Sequence, residues 1–299
     1  MYRESLQGSE IIQIRETTQA KESNRKKETQ QKETVRDNDT GQNKKAILVV
    51  SFGTSHRETM EKTIVQIEAD IKKAYPDRAV YRAFTSNMII SILKDRDGFP
   101  VMNVKEAMLQ MFKDGMNEII VQPTHILNGI ENEAMAEEVH KYRELFQSVK
   151  VGAPLLTATL DIKKVIEGLI EEFSELQEEE ALVYMGHGTT HFSNTSYTAL
   201  EYMFRDSGYE DVYVATVEAY PALDNVIRNL RKKRYKRIKL VPFMIVSGDH
   251  ALNDMAGEDE GSWKSVLEKE GYEVSCSLKG LGEYQCIRDI FIEHVAQAL

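Results

Sequence analysis

AILVVSFGTSH (46–56) and ALVYMGHGTTH (181–191) match at a constant offset of 135 residues. Each is an apolar run of buried-strand length, closed by glycine and small hydroxyl residues and followed by a helical pattern. In the first copy Met60, Ile64, Ile67, Ile71 and Ala74 form one apolar stripe, and Ser55 and Glu58 have capping-box spacing. Further pairs follow in the same order. AVYRAFTS (79–86) answers DVYVATVEA (211–219). IIVQPTHILNGIE (119–131) answers IKLVPFMIVSGDH (238–250), aligning Pro123 with Pro242 and Gly129 with Gly248. VKVGAPLL (149–156) answers YEVSCSLKG (272–280), and helical patterns follow at Ile162–Phe173 and Ile287–Leu299. Strand and helix therefore alternate four times, twice over. The expected fold class is α/β: two similar doubly wound halves, each with a parallel four-stranded sheet and right-handed crossovers, around a central cleft. The halves are expected at 44–176 and 177–299. Residues 1–43, rich in Gln, Glu, Lys and Thr, bury too little apolar surface to offset ordering entropy and are expected to be a disordered or weakly helical tail.

Ligands of such sheets bind beyond the carboxyl ends of the strands, so the repeat can be searched there for differences between copies. Phe52 stands where the second copy has His187, Thr85 or Ser86 where it has Glu218, and Glu131 where it has His250. Two imidazoles and a carboxylate after three equivalent strands form a transition-metal set suited to borderline ions such as Co2+, Ni2+, Fe2+ and Zn2+. Three protein ligands also leave coordination positions open. The first half is expected to add Glu131 and His125 across the cleft. His56 and His191 occupy matching positions, which suggests a shared role at helix starts. His140 and His294 fall within helical patterns and are expected at the surface or its boundary.

Composition excludes several classes. The chain is 41% hydrophobic and 29% charged, an ordinary globular mix, and no apolar run approaches the roughly 18 residues of a membrane span. No apolar core suggests a signal peptide, and Cys276 and Cys286 make no disulfide framework, so a cytoplasmic location is expected. Net charge is −10, yet residues 1–45 carry ten Lys/Arg against eight Asp/Glu, leaving −12 on the remainder. An acidic body argues against nucleic acid, whose phosphates need clustered cations. Neither GxxxxGK nor a full GxGxxG is present, which argues against a nucleotide. No GxSxG nucleophile elbow occurs.

LVVSFGTSH, YRAFTSNMI, ILKDRDG, HILNGIE, YMGHGTTH, VEAYP, SGDHALNDMA and GLGE together resemble the anaerobic cobaltochelatases of cobalamin synthesis, within the class II chelatases. The likeness runs from about Lys44 to the C-terminus, and GDHALNDMA is its most diagnostic part. It implies insertion of Co2+ into sirohydrochlorin, with Co2+ as substrate metal and no organic cofactor. It places the proton acceptor and one metal ligand at His187, the other ligands at Glu218 and His250, and a further active-site acid at Glu131. Metallation must remove two pyrrole protons, and an imidazole of ordinary pKa about 6.5 is suited to accept them. The tetrapyrrole is rich in carboxylates, for which Arg82, Lys94, Arg96 and His125 are the expected substrate-binding residues. Three alternatives stay open: a class II chelatase for Fe2+ (sirohaem) or Ni2+, a non-catalytic carrier of metal or tetrapyrrole, and a two-domain sugar- or nucleotide-binding protein. A homo-oligomer is also left open.

Overall fold

A computed structural model describes residues 44–170 and 176–299. The tail at 1–43 and residues 171–173 of the expected Ile162–Phe173 helix lie outside the described residues. Two parallel sheets form. The first has strands β1 (Lys45–Ser51), β2 (Ala79–Phe84), β3 (Glu118–Pro123) and β4 (Ser148–Val151) in the order β2-β1-β3-β4. The second has β5 (Glu180–Gly186), β6 (Val212–Thr216), β7 (Arg237–Pro242) and β8 (Glu273–Cys276) in the order β6-β5-β7-β8. Registers also correspond: Val50 opposes Pro123 in one sheet and Met185 opposes Pro242 in the other. The internal repeat is thus a repeat of topology.

Ten α-helices cover the sheets among the described residues: α1 (Arg57–Lys62), α2 (Ile64–Ala74), α3 (Asn87–Asp97), α4 (Val104–Lys113), α5 (Ile130–Tyr142), α6 (Thr159–Leu169), α7 (Thr195–Asp206), α8 (Leu223–Leu230), α9 (Trp263–Lys269) and α10 (Gln285–Ala298). Successive strand residues face opposite sides, so each strand feeds two cores. Ala46, Leu48 and Val50 pack with Met108 and Met111 of α4 and Met135 of α5. Ala181, Val183 and Met185 pack with Ile227 and Leu230 of α8 and Trp263 of α9. The opposite faces merge: Ile47 and Val49 share one cluster with Leu182 and Tyr184, together with residues of α2, α6, α7 and α10. A single continuous core therefore joins the two sheets.

Helix α10 strengthens that join. It follows the last strand of the second sheet but packs against α2, α6 and β3 of the first half. His294 on α10 is consequently buried, at 2% exposure, which corrects the surface or boundary expectation. Its ring meets the Ala153 carbonyl at 3.0 Å through Nδ1 and Asp161 at 3.2 Å through Nε2. His140, on α5, is exposed as expected.

The first helical stripe is interrupted. Met60, Ile64, Ile67 and Ile71 are fully buried, but the helix breaks at Thr63, whose hydroxyl donates to the Thr59 carbonyl at 2.6 Å. Ala74 is exposed. The Ser55–Glu58 capping box does not form, because His56 occupies the N-cap position and makes no capping bond.

Candidate metal centre

All three residues singled out in the second half follow neighbouring strands at their carboxyl ends. His187 comes one residue after β5. Gly186 before it has no room for a side chain, since a Cβ would lie 2.5 Å from the ring of Tyr197. Gly188 after it has φ +86°, and a Cβ there would lie 2.9 Å from that of Thr216. Tyr197 of α7 is buried beneath this turn, and burial pushes its pKa up to about 12, so the phenol stays neutral. Replacing Gly188 by Ala should therefore lower stability by about 1–3 kcal/mol and displace His187. Urea unfolding together with Co2+ titration checks this; wild-type values in both would contradict the fit.

Glu218 is fixed by its backbone. Its N–H donates to the His187 carbonyl at 3.0 Å, and that of Val217 donates to the Gly186 carbonyl at 3.0 Å. Asn194 adds a clamp: its carboxamide accepts from the Thr189 N–H at 3.0 Å and donates to the Tyr220 carbonyl at 2.5 Å. His250 opens a π-helical turn, His250–Met255, eight residues after β7 ends. The segment leading to it is braced by the GLGE turn, where Leu281 donates to the Met244 carbonyl at 2.8 Å and Gly282 to that of Ile245 at 3.0 Å.

The donor atoms of His187, Glu218 and His250 all lie within 4.8 Å of one another. The two imidazoles meet edge to face with centroids 4.8 Å apart, and Nδ1 of His187 lies 3.8 Å from Glu218. Nδ1 of His187 faces the Gly188 carbonyl at 2.9 Å, and Nδ1 of His250 faces Asp254 at 2.5 Å. A carbonyl and a carboxylate accept hydrogen bonds, so each Nδ1 carries the proton. Each Nε2 then presents its lone pair, the form in which imidazole ligates metal. The side chains are 42%, 55% and 35% exposed respectively, so an ion held here would keep open positions toward the cleft.

The remaining expectations fare differently. Glu131, in the first turn of α5, is not gathered with those three residues. It lines a cavity of about 470 Å³ at the strand ends of the first half, with Phe52, Thr85, Asn103, Lys105 and Ile130. The turn before it abuts the His187 loop, Gly129 facing the Ser193 hydroxyl. His125 does not offer itself to a substrate. Its Nδ1 lies 3.4 Å from Asn132, its Nε2 is buried without a partner, and burial depresses its pKa, keeping the ring neutral. Arg82, on β2, faces α2. Its guanidinium grips Glu68 at 2.6 and 2.5 Å. Arg82→Ala should thus cost about 1.5–3 kcal/mol of stability without raising the tetrapyrrole KM. A raised KM with unchanged unfolding would instead make Arg82 a substrate contact.

Lys94 and Arg96 lie in the last turn of α3, both exposed. Arg96 binds Asp97 at 2.8 Å and the Ser55 carbonyl at 2.5 Å, which places it beside the loop after β1. The matching histidines both stand at helix starts, as expected: His191 caps a short 3-10 turn, its Nδ1 accepting from the Ser193 N–H at 3.2 Å, whereas His56 makes no capping bond. Each also bridges to the opposite half. His56 reaches Asp249 at 2.9 Å and His191 reaches Glu133 at 3.3 Å. Asp254, Asn194 and Lys105 escaped the sequence reading. Only Asp254 carried a signal, its i, i+4 spacing from His250.

A doubly wound two-half scaffold with an open His–Glu–His cluster at its strand ends defines an α/β protein able to hold a first-row transition ion. Residues 45–299 match the family described as cobalt chelatase (CbiK), and the chain belongs to that family. The sirohydrochlorin cobaltochelatase of Salmonella typhimurium is 40% identical over 256 residues, 86% of this chain and 97% of its own length. The sirohydrochlorin cobaltochelatase CbiKC of Nitratidesulfovibrio vulgaris is 32% identical over 263 residues, 86% of this chain and 91% of its own. Among solved structures, SirB from Bacillus subtilis with Fe3+ shares the fold with a TM-score of 0.62 at 15% identity, covering 85% of this chain and 95% of that one.

Proposed function

We propose that this protein is a sirohydrochlorin cobaltochelatase acting in anaerobic cobalamin synthesis in the cytoplasm, inserting Co2+ without an organic cofactor. No helix among the described residues is long and apolar enough to cross a membrane. The observation that carries the reading is the convergence of one donor atom each from His187, Glu218 and His250 within 4.8 Å.

In this reading the two imidazoles and the Glu218 carboxylate take Co2+ from its water shell, and the carboxylate offsets part of its charge. The macrocycle enters the cleft and offers its nitrogens to the open positions. Two pyrrole N–H protons must leave as the metal enters. His187, at the exposed turn after β5, accepts one as its nitrogen releases the ion, and the Glu131 carboxylate accepts the other from the opposite wall. Lys94 and Arg96 remain proposed partners for substrate carboxylates, with Lys105 on the rim of the cavity as an addition.

Mixing the pure protein with sirohydrochlorin and Co2+ and following the absorbance change tests this. The expected result is metallation well above a protein-free control. A rate equal to that control, with the tetrapyrrole bound, would point to a carrier instead. Parallel reactions with Fe2+ and Ni2+ rank the metals, since ligand type alone does not separate them.

A further inference from the structure

The two imidazoles of the cluster are backed by different groups. His187 is held by a neutral acceptor, the Gly188 carbonyl at 2.9 Å. His250 is held by a charged one, Asp254 at 2.5 Å. The difference originates in local backbone. The turn that carries His187 passes from strand to loop between two glycines, where a neighbouring carbonyl is the acceptor at hand. His250 and Asp254 lie in one π-helical turn, and their i, i+4 spacing sets a carboxylate beside the ring. Such turns are frequent at functional sites.

Resting on the metal site just described, we propose that Asp254 is a positioning residue that makes His250 the anchoring ligand. His187 is then left as the ligand that exchanges. A carboxylate behind a ligating imidazole fixes its tautomer and ring orientation and strengthens its donation to the ion. Asp254 therefore aims Nε2 of His250 at the metal before any substrate arrives. A neutral carbonyl orients His187 but strengthens it less. When Co2+ shifts toward the pyrrole nitrogens, the bond to His187 yields first, and the freed Nε2 takes a proton from a pyrrole N–H. One N–H bond breaks and one forms, with no other reactant. His250 meanwhile keeps the ion over the ring.

The test is Co2+ binding by the full chain without tetrapyrrole, followed by calorimetry and by the visible absorption of the bound ion. Asp254→Ala should weaken binding about 10–100-fold and change the visible bands, with the folded circular dichroism retained. Asp254→Asn should recover part of that affinity, because its carboxamide oxygen can still accept from Nδ1–H. His187→Ala should lose less affinity than His250→Ala. Asp254→Ala and Asp254→Asn binding Co2+ within twofold of wild type, with unchanged bands, would overturn the proposal. Equal losses in His187→Ala and His250→Ala would overturn the division of labour. Should His250→Ala itself bind Co2+ normally, the metal site fails, and this inference with it.

Discussion

His187→Ala is expected to lower the rate of Co2+ insertion by about 10³-fold or more, while the protein unfolds within about 0.5 kcal/mol of wild type. The size follows from two losses at one atom: the proposed metal ligand and the group proposed to take a pyrrole proton. The small stability effect follows from position, because the side chain is 42% exposed and its Nδ1 bonds only the adjacent carbonyl. Steady-state rates with sirohydrochlorin and Co2+, paired with urea unfolding, make the measurement. A variant retaining more than about a tenth of wild-type activity would remove His187 from the chemistry. Large destabilisation would instead mean that the turn, rather than the imidazole, had been disturbed.

Phe243→Ala should have the largest effect on stability, about 3–5 kcal/mol. The ring is fully buried and packs edge to face with Tyr184 at 5.5 Å and Tyr197 at 6.3 Å. Its N–H donates to the Met185 carbonyl at 2.8 Å just beyond β7, so it also holds the start of the segment leading to His250. Co2+ affinity should therefore fall along with stability. A cost below about 1 kcal/mol in urea unfolding would show that the core repacks around the gap. Retained Co2+ affinity beside a large loss of stability would detach the ligand segment from this part of the core.

The fold was legible because its signals are local and repeated. An apolar run ending in glycine and hydroxyl residues appears at 46–56 and again at 181–191, and both copies became the central strands of their sheets. The gathering of His187, Glu218 and His250 was legible for a related reason: all three follow equivalent strands of the repeat, so a difference between copies stands out there. Side-chain direction was not legible. Arg82 lies in the second strand as read, but the alternation of β2 turns it toward Glu68 on α2. His125 follows its strand as read, yet the loops after β3 and β4 bond to each other and leave Nε2 enclosed. His294 was misjudged because nothing in the periodicity of α10 reveals that it crosses to the first half, where Asp161 and Ala153 wait. For His294 the deciding partners lie more than a hundred residues away in sequence.

The central claim is that one ion is shared by His187, Glu218 and His250. Crystals of the protein soaked in Co2+, with anomalous diffraction collected at the cobalt edge, test it most directly. A single strong peak is expected at the strand ends of the second sheet, roughly 2 Å from Nε2 of His187, Nε2 of His250 and a carboxylate oxygen of Glu218. A peak elsewhere, or one contacting only a single member of the trio, would contradict it.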